Sequence, residues 1–202
     1  LSLPFDVLEA KAKRSETPLP SAESFLPSQQ GLSAAVAHDV AAELLRARRP
    51  LIIAGPVLTG MRARTSREAL IRVYGIPGVG MGSPRGVNDP ALGAVTEDLK
   101  QADRVLLLGK KLDFTLRFGR PPAFASDCKF IQIDPDEAVL ERAKHALGDP
   151  SRIIRSLCAD PISAADCLAA MPVDARGDAG WAKEVEAAAS FRPPAWERVG
   201  NR

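Results

Sequence analysis

The chain has 202 residues, 46% of them hydrophobic, which is enough to bury a full core, and its size fits one domain plus tails better than two domains. Its 27 basic and 25 acidic residues are spread along the sequence and leave a formal charge of +2, so the dense basic patch that nucleic-acid binding requires is missing. No apolar run approaches the roughly 18 residues needed to span a bilayer, no signal peptide opens the chain, and three cysteines (Cys128, Cys158, Cys167) without CxxC spacing argue against a disulfide framework or a zinc site. A cytoplasmic protein with reduced thiols, no membrane and no nucleic-acid partner is expected.

Leu1 to Leu8 begins without Met and reads like the end of a strand, which suggests a piece cut from a longer polypeptide. Glu16 to Gln30, rich in Pro and Ser, favours extended backbone and reads as an interdomain linker. Ser33 then caps a helix in which Val36, Val40 and Leu44 recur every four residues, and Arg46, Arg48 and Arg49 suit its C-terminus. Pro50 stops that helix. Leu51 to Ala54, ending in Gly55, is a short continuous apolar run of the kind covered on both faces of a sheet. Similar runs are Val105 to Leu108 before Gly109, Phe130 to Ile133 before Asp134, and Ile153 to Leu157 leading to Asp160, with Ile76 to Met81 a weaker candidate. Helices alternate with them: Thr65 to Tyr74, with a Thr65/Glu68 capping box and Gly75 after it, Thr96 to Ala102, Asp136 to Leu147, and Ser163 to Met171. A polar stretch, a short helix from Trp181 to Ser190 and a tail with Pro193 and Pro194 read as a second linker.

Such alternation predicts an α/β, Rossmann-like fold, a parallel sheet flanked by helices. The expected division is the end of a preceding domain plus linker over 1–30, a central domain over 31–172, and a C-terminal linker with a short helix over 173–202. In parallel sheets ligands sit at the carboxyl ends of the strands, so Gly55, Gly109, Asp134 and Asp160 should gather on one edge. Asp134 and Asp160 could accept hydrogen bonds from ribose hydroxyls, or could simply cap the helices that follow. Lys110, Lys111 and Asp113, with Arg117 and Arg120 beyond, place cations after the third apolar run, where phosphate binding and a solvated loop are both open readings.

Other motifs carry less. Gly78-Val79-Gly80-Met81-Gly82 is glycine-rich, but Pro84 follows where a dinucleotide fingerprint needs a helix. Gly55 to Gly60 lacks the Gly-Lys-Ser/Thr of a phosphate-binding loop. His38 and His145 have no Cys or Ser partner in a nucleophile motif, and no catalytic residue or metal ligand is assigned anywhere in the chain.

The order Arg49 to Gly55, Tyr74-Gly75-Ile76-Pro77, Ala102 to Gly109, and Ile131-Gln132-Ile133-Asp134-Pro135-Asp136 resembles the central domain of thiamine-diphosphate enzymes. Acetolactate synthase, oxalyl-CoA decarboxylase, 2-hydroxyacyl-CoA lyase and benzaldehyde lyase are the nearest types, over about Ser33 to Met171. Leu1 to Leu8 resembles the closing strand of that family's pyrimidine-binding domain, and Trp181-Ala182-Lys183 the helix leading to its diphosphate-binding domain.

The resemblance implies a six-stranded parallel sheet of the DHS-like NAD/FAD-binding type, whose rim holds FAD in some members, ADP or a CoA-type nucleotide in others, and nothing in many. Gly109, Lys111 and Asp113 stand where flavin-binding members carry Gly-x-Arg-x-Asp, with Lys in place of Arg. Asp134 matches the acid at the next strand end, and Asp160 the Asp of a Gly-Asp pair whose Gly is Ala159. Lys in place of Arg weakens bidentate phosphate recognition, and the stretch from Gly93 to Ala102 is shorter than in flavin binders, so ADP or an empty rim is expected in preference to FAD. Thiamine diphosphate and Mg2+ are implied only for a full-length parent, a homodimer or homotetramer, and this chain alone is expected to be inactive. Gly177-Asp178-Ala179 with Asn201 mimics the family's metal motif but follows no buried strand. The competing expectations are an autonomous FAD- or NAD-binding module of electron-transfer flavoprotein or deacylase type, and a purely structural interaction domain.

Overall fold

The computed structural model describes residues 4–14, 21 and 30–193. A short helix, α1 (Phe5–Glu9), stands apart from the core with none of its residues buried. The strand expected over Leu1 to Leu8 is therefore a helix over its described part: Pro4 precedes the first turn, where Asp6 complements the exposed amides. The remaining elements are α2 (Ala34–Leu45), β1 (Pro50–Ala54), α3 (Met61–Tyr74), β2 (Gly78–Gly80), α4 (Val95–Leu99), β3 (Arg104–Leu108), β4 (Lys129–Asp134), α5 (Glu137–Leu147), β5 (Ile153–Cys158), α6 (Pro161–Ala169) and α7 (Ala179–Ser190). No helix among the described residues is long and apolar enough to cross a membrane.

The strands form one parallel sheet in the order β2-β1-β3-β4-β5. Side chains alternate across it, and each face carries its own helices. Ile52, Ala54, Leu106, Leu108, Ile131 and Ile133 point to the layer of α2, α3 and α6, which contributes Val40, Leu44, Leu70 and Leu168. Leu51, Ile53, Val105, Leu107 and Phe130 point the other way, to α4, α5 and α7, which contribute Leu99, Ala143, Leu147, Trp181 and Val185. Because both faces are covered, β1 is buried at every position, which is why its sequence shows no polar alternation.

The sheet has five strands where the family likeness implies six. Between β2 and β3 the chain passes through single-turn 3-10 segments at Gly86–Asn88 and Pro90–Leu92 and the short α4. Pro84 and Pro90 cannot donate to a ladder, and no apolar run lies between them, so β2 remains a margin of the sheet. The Gly78 to Gly82 run is thus β2 and the residues after it rather than a loop before a helix. A Cβ on Gly78 would press on Ile71 of α3, so the glycine serves close packing of helix on strand. Helix α3 starts at Met61, a turn before the expected capping box. Thr65 lies inside it, and Glu68 pairs instead with Arg64 at 2.6 Å.

Two features fasten the periphery. Helix α7 lies on the core: Trp181 is 2% exposed, its Nε1 donates to the Pro50 carbonyl at 2.7 Å, and the Arg49 guanidinium stands over its ring at 5.2 Å. The Gly177 amide donates to the Tyr74 carbonyl at 2.8 Å, tying the approach to α7 to the end of α3. At the other end of the sheet Arg152, 4% exposed, donates to the carbonyls of Cys128 (2.9 Å), Gly119 (3.0 Å) and Ala125 (2.9 Å) and stacks on Phe130. One guanidinium thereby gathers the whole connection from Gly119 to Cys128 beneath β4.

Among the described residues, one buried side-chain amide has neither of its polar atoms paired. Gln132 in β4 is fully buried, paired in register with Leu107 and Ser156, and neither atom of its amide meets a protein donor or acceptor. Burial of an unpaired amide costs about 1–3 kcal/mol. Gln132→Leu is therefore expected to raise the melting temperature by about 2–12 °C in a circular-dichroism melt, at about 2–4 °C per kcal/mol for a domain of this size. A fall would mean that the amide is satisfied in solution.

Candidate functional site

Because every strand pair is parallel, the C-terminal ends of all five strands share one rim. The ladder continues one step past the strands: the Gly55 amide donates to the Leu108 carbonyl and the Gly109 amide to that of Ile133, both at 2.9 Å, while Ala159 reaches the Asp134 carbonyl at 3.3 Å. Gly55, Gly109, Asp134 and Asp160, which follow β1, β3, β4 and β5, are thereby brought to the same edge. From β1 the chain leaves to β2 through α3 on one face and returns to β3 through α4 on the other, so the strand order reverses between β1 and β3. At that reversal a cleft of about 320 Å³ opens, with Pro56, Ser83, Gly109, Lys111, Asp113 and Phe114 among its walls.

The two glycines at the reversal have a packing role. A Cβ on Gly55 would overlap the Gly109 carbonyl and stand 2.9 Å from the Lys110 amide nitrogen. Gly109 takes φ +61°, a left-handed value that costs other residues free energy, and its Cβ would lie 2.9 Å from Pro161 Cγ. Both amides are spent on the ladder, so neither is open to a ligand in the cleft.

Those side chains divide into a buried layer and an open one. Lys110 is 5% exposed, and its Nζ donates to Thr115 Oγ1 at 2.5 Å; that hydroxyl in turn donates to Asp113 Oδ1. Burial draws the Lys110 ammonium below the ordinary lysine range, with the Asp113 charge opposing the shift. Asp113 also caps the following turn by accepting from the Thr115 amide at 2.9 Å. Lys111 is exposed and makes no hydrogen bond or ion pair among the described residues. Sequence reasoning singled out Lys111 and passed over Lys110 as the built-in member of the pair. The only available signal was that the two adjacent residues must point differently once Gly109 turns the backbone.

Asp134 is 5% exposed and accepts from the Asp136 amide at 3.0 Å; burial raises its carboxyl above the usual range, against that hydrogen bond and the nearby Lys111 charge. Asp160 caps α6 by accepting from the Ser163 amide at 2.7 Å, and its own amide donates to the Gln30 carbonyl at 2.8 Å. Neither lines the cleft at the reversal, so the six candidate residues occupy one rim but not one pocket. Beyond Asp113 the backbone is strained: Arg117 and Phe118 hold φ 50° and 55°, at a cost on the order of 1–3 kcal/mol each. The Arg117 guanidinium reaches Asn88 Oδ1 at 3.2 Å. His38 and His145 are both exposed.

Among the described residues no group of three or more His, Cys, Asp or Glu side chains could hold a metal ion. Asp178 of Gly177-Asp178-Ala179 caps α7, accepting from the Gly180 amide at 2.7 Å. Asn201, the other residue of that pattern, lies outside the described residues.

Comparison with known proteins agrees with this geometry. Residues 37–157 match the family described as "Thiamine pyrophosphate enzyme, central domain". The chain is 30% identical over 187 residues to 2-hydroxyacyl-CoA lyase of Oryza sativa subsp. japonica, covering 84% of this chain and 32% of that protein. It is 29% identical over 175 residues to oxalyl-CoA decarboxylase of Escherichia coli (strain K12), covering 79% and 30%. The solved thiamine diphosphate-dependent 4-hydroxybenzoylformate decarboxylase of Rhodococcus jostii RHA1 shares the fold with a TM-score of 0.55 at 21% identity, over 74% of this chain and 29% of that one. The chain spans about a third of the length of these relatives.

Proposed function

As the chain belongs to the thiamine pyrophosphate enzyme central-domain family, we propose that it is the central domain, over 31–172, of a cytoplasmic carbon-carbon lyase, synthase or decarboxylase acting on 2-hydroxyacyl-CoA or 2-keto acids. Residues 1–30 and 173–202 are then the connections to a pyrimidine-binding and a diphosphate-binding domain, which supply the thiamine diphosphate and Mg2+ site, and the parent is a homodimer or homotetramer. When bound there, thiamine diphosphate supplies a carbon nucleophile that stores the carbanion of bond cleavage. The present chain contributes a stiff α/β body and a nucleotide-binding rim and turns over no substrate alone.

The observation that carries the reading is the cleft at the strand-order reversal, with an unpaired Lys111 at its mouth and the Asp113–Thr115–Lys110 chain beneath it. An ADP moiety is the ligand that suits it: Lys111 meets a phosphate, Asp134 or Asp160 at the neighbouring strand ends meets the ribose, and Phe114, 64% exposed, offers a face to the base. An isoalloxazine lacks the longer Gly93 to Ala102 surface on which it would lie. The names of the relatives favour an acyl-CoA parent over a free-standing FAD or NAD module.

Two measurements on the full chain test this. Titration calorimetry with thiamine diphosphate and Mg2+ is expected to show no saturable binding, and saturation would reject the domain assignment. Millimolar ADP is expected to raise the melting temperature by several degrees through mass action, and Lys111→Ala is expected to abolish at least half of that rise. No shift with the unmodified chain would leave the rim a purely structural edge.

A further inference from the structure

A second cavity, of about 430 Å³, lies on the far side of the Lys111–Asp113 segment, between it and helix α5; it shares Lys111 and Asp113 with the rim cleft, and its other walls are its own. Its volume is in the range of small-molecule sites. Leu112, Val139 and Ala143 form apolar walls, and all three are buried members of the protein interior. Phe118 adds an aromatic wall that is 41% exposed and held by the left-handed backbone at Arg117 and Phe118. A strained turn that keeps a large apolar ring in contact with water is the reverse of what packing alone would select.

The charged groups around it are unequally served. Asp113 accepts from Thr115 twice, Asp134 accepts from the Asp136 amide, and Asp136 caps α5 through the Ala138 amide at 2.9 Å. The bases have less. Lys111 and His145 make no hydrogen bond or ion pair among the described residues, and Arg142, with two thirds of its side chain exposed, has a single ion pair, to Asp136 at 3.8 Å. The acids are thus more fully engaged than the bases, around an apolar hollow. We infer that this cavity is a binding site for an amphipathic monoanion, a carboxylate carrying a medium-length acyl or aryl body. The tail packs on Leu112, Phe118, Val139 and Ala143, and the head group meets Arg142, His145 and Lys111 at the mouth.

The test uses octanoate as probe, with octanamide and acetate as controls, in calorimetry on the full chain. Octanoate is expected to bind with one-to-one stoichiometry, octanamide at least tenfold more weakly for want of the charge, and acetate not measurably for want of the tail. Two variants locate the site. Arg142→Ala/His145→Ala changes only exposed side chains, and Ala146→Trp fills the hollow from α5. Each is expected to weaken octanoate at least tenfold while leaving any ADP-induced rise in melting temperature unchanged, which separates this site from the rim whether or not ADP binds there. Octanoate binding that is undiminished in the double variant, equal affinity for octanamide, or no saturation by octanoate at 5 mM would overturn the inference.

Discussion

Gly55→Ala is expected to lose about 4 kcal/mol or more of stability, seen as a fall in melting temperature of about 10 °C or as failure to accumulate folded protein. The added methyl would overlap the Gly109 carbonyl, and its other near neighbour is the Lys110 amide. Neither can swing aside as a side chain would, because both belong to backbone fixed by the ladder bond from Gly109 to Ile133. Relief requires β1 and β3 to part at the point where their residues Ala54 and Leu108 are paired. Gly31→Ala is the matched control, since nothing lies within 4 Å of its Cβ position, and it should change stability by no more than about 1 kcal/mol. Equal melting temperatures for the two variants would show that the tips of β1 and β3 are not locked together as described.

Arg152→Met should cost about 3–5 kcal/mol. It takes the guanidinium away from the carbonyls of Cys128, Gly119 and Ala125, of which Ala125 still accepts from the Cys128 amide at 3.2 Å. The methionine replaces much of the stem's packing on Phe130, so the loss reports the hydrogen bonds more than a void. Arg152→Lys should recover little, because an ammonium cannot direct donors along three carbonyls in the plane of a guanidinium fork. Thermal melts measure the stability loss. Hydrogen exchange should show the amides of residues 119–128 released from protection before those of β3 and β4. A variant within 1 kcal/mol of the parent would show that the connection is held by its own turns.

Much of the architecture was legible in the residues. Four largely apolar runs followed by Gly or Asp gave β1, β3, β4 and β5 to within a residue or two; β1 and β3 are continuous because strands covered on both faces have no need of polar alternation, while Arg155 and Ser156 mark β5 as a margin. Ser33, Asp136 and Asp160 cap the helices that follow them for the reason Ser and Asp usually do: a short side chain can return to the second or third amide. The start of α3 was not legible, since Thr65 and Glu68 have capping-box spacing at a position where the helix has already run a turn. Nor was the strand number: the sixth strand, expected from family likeness and not from any apolar run, is not found among the described residues.

The rim was legible as a line of residues but not as a pocket. Strand ends can be counted in sequence, whereas the placement of the cleft between β1 and β3 depends on which way each crossover turns. The division of labour between Lys110 and Lys111 was hidden for a related reason. Two identical neighbours differ only in which side of a glycine-turned backbone they face, and no composition records that. The close fit of α7 was also unannounced, because Trp181 stands alone in a polar stretch and its partner, the Pro50 carbonyl, lies 131 residues away.

The margins of the sheet bear on how such a module survives inside a longer polypeptide. At one side β2 is only three residues long and carries two glycines, and it is entered through Pro77. At the other, Arg155 points outward from β5 and is engaged by Asp39 at 3.1 Å. A brief, proline-entered border and a charged one are both poor templates for another copy's backbone. Backbone pairing with a second copy is thus disfavoured at both margins.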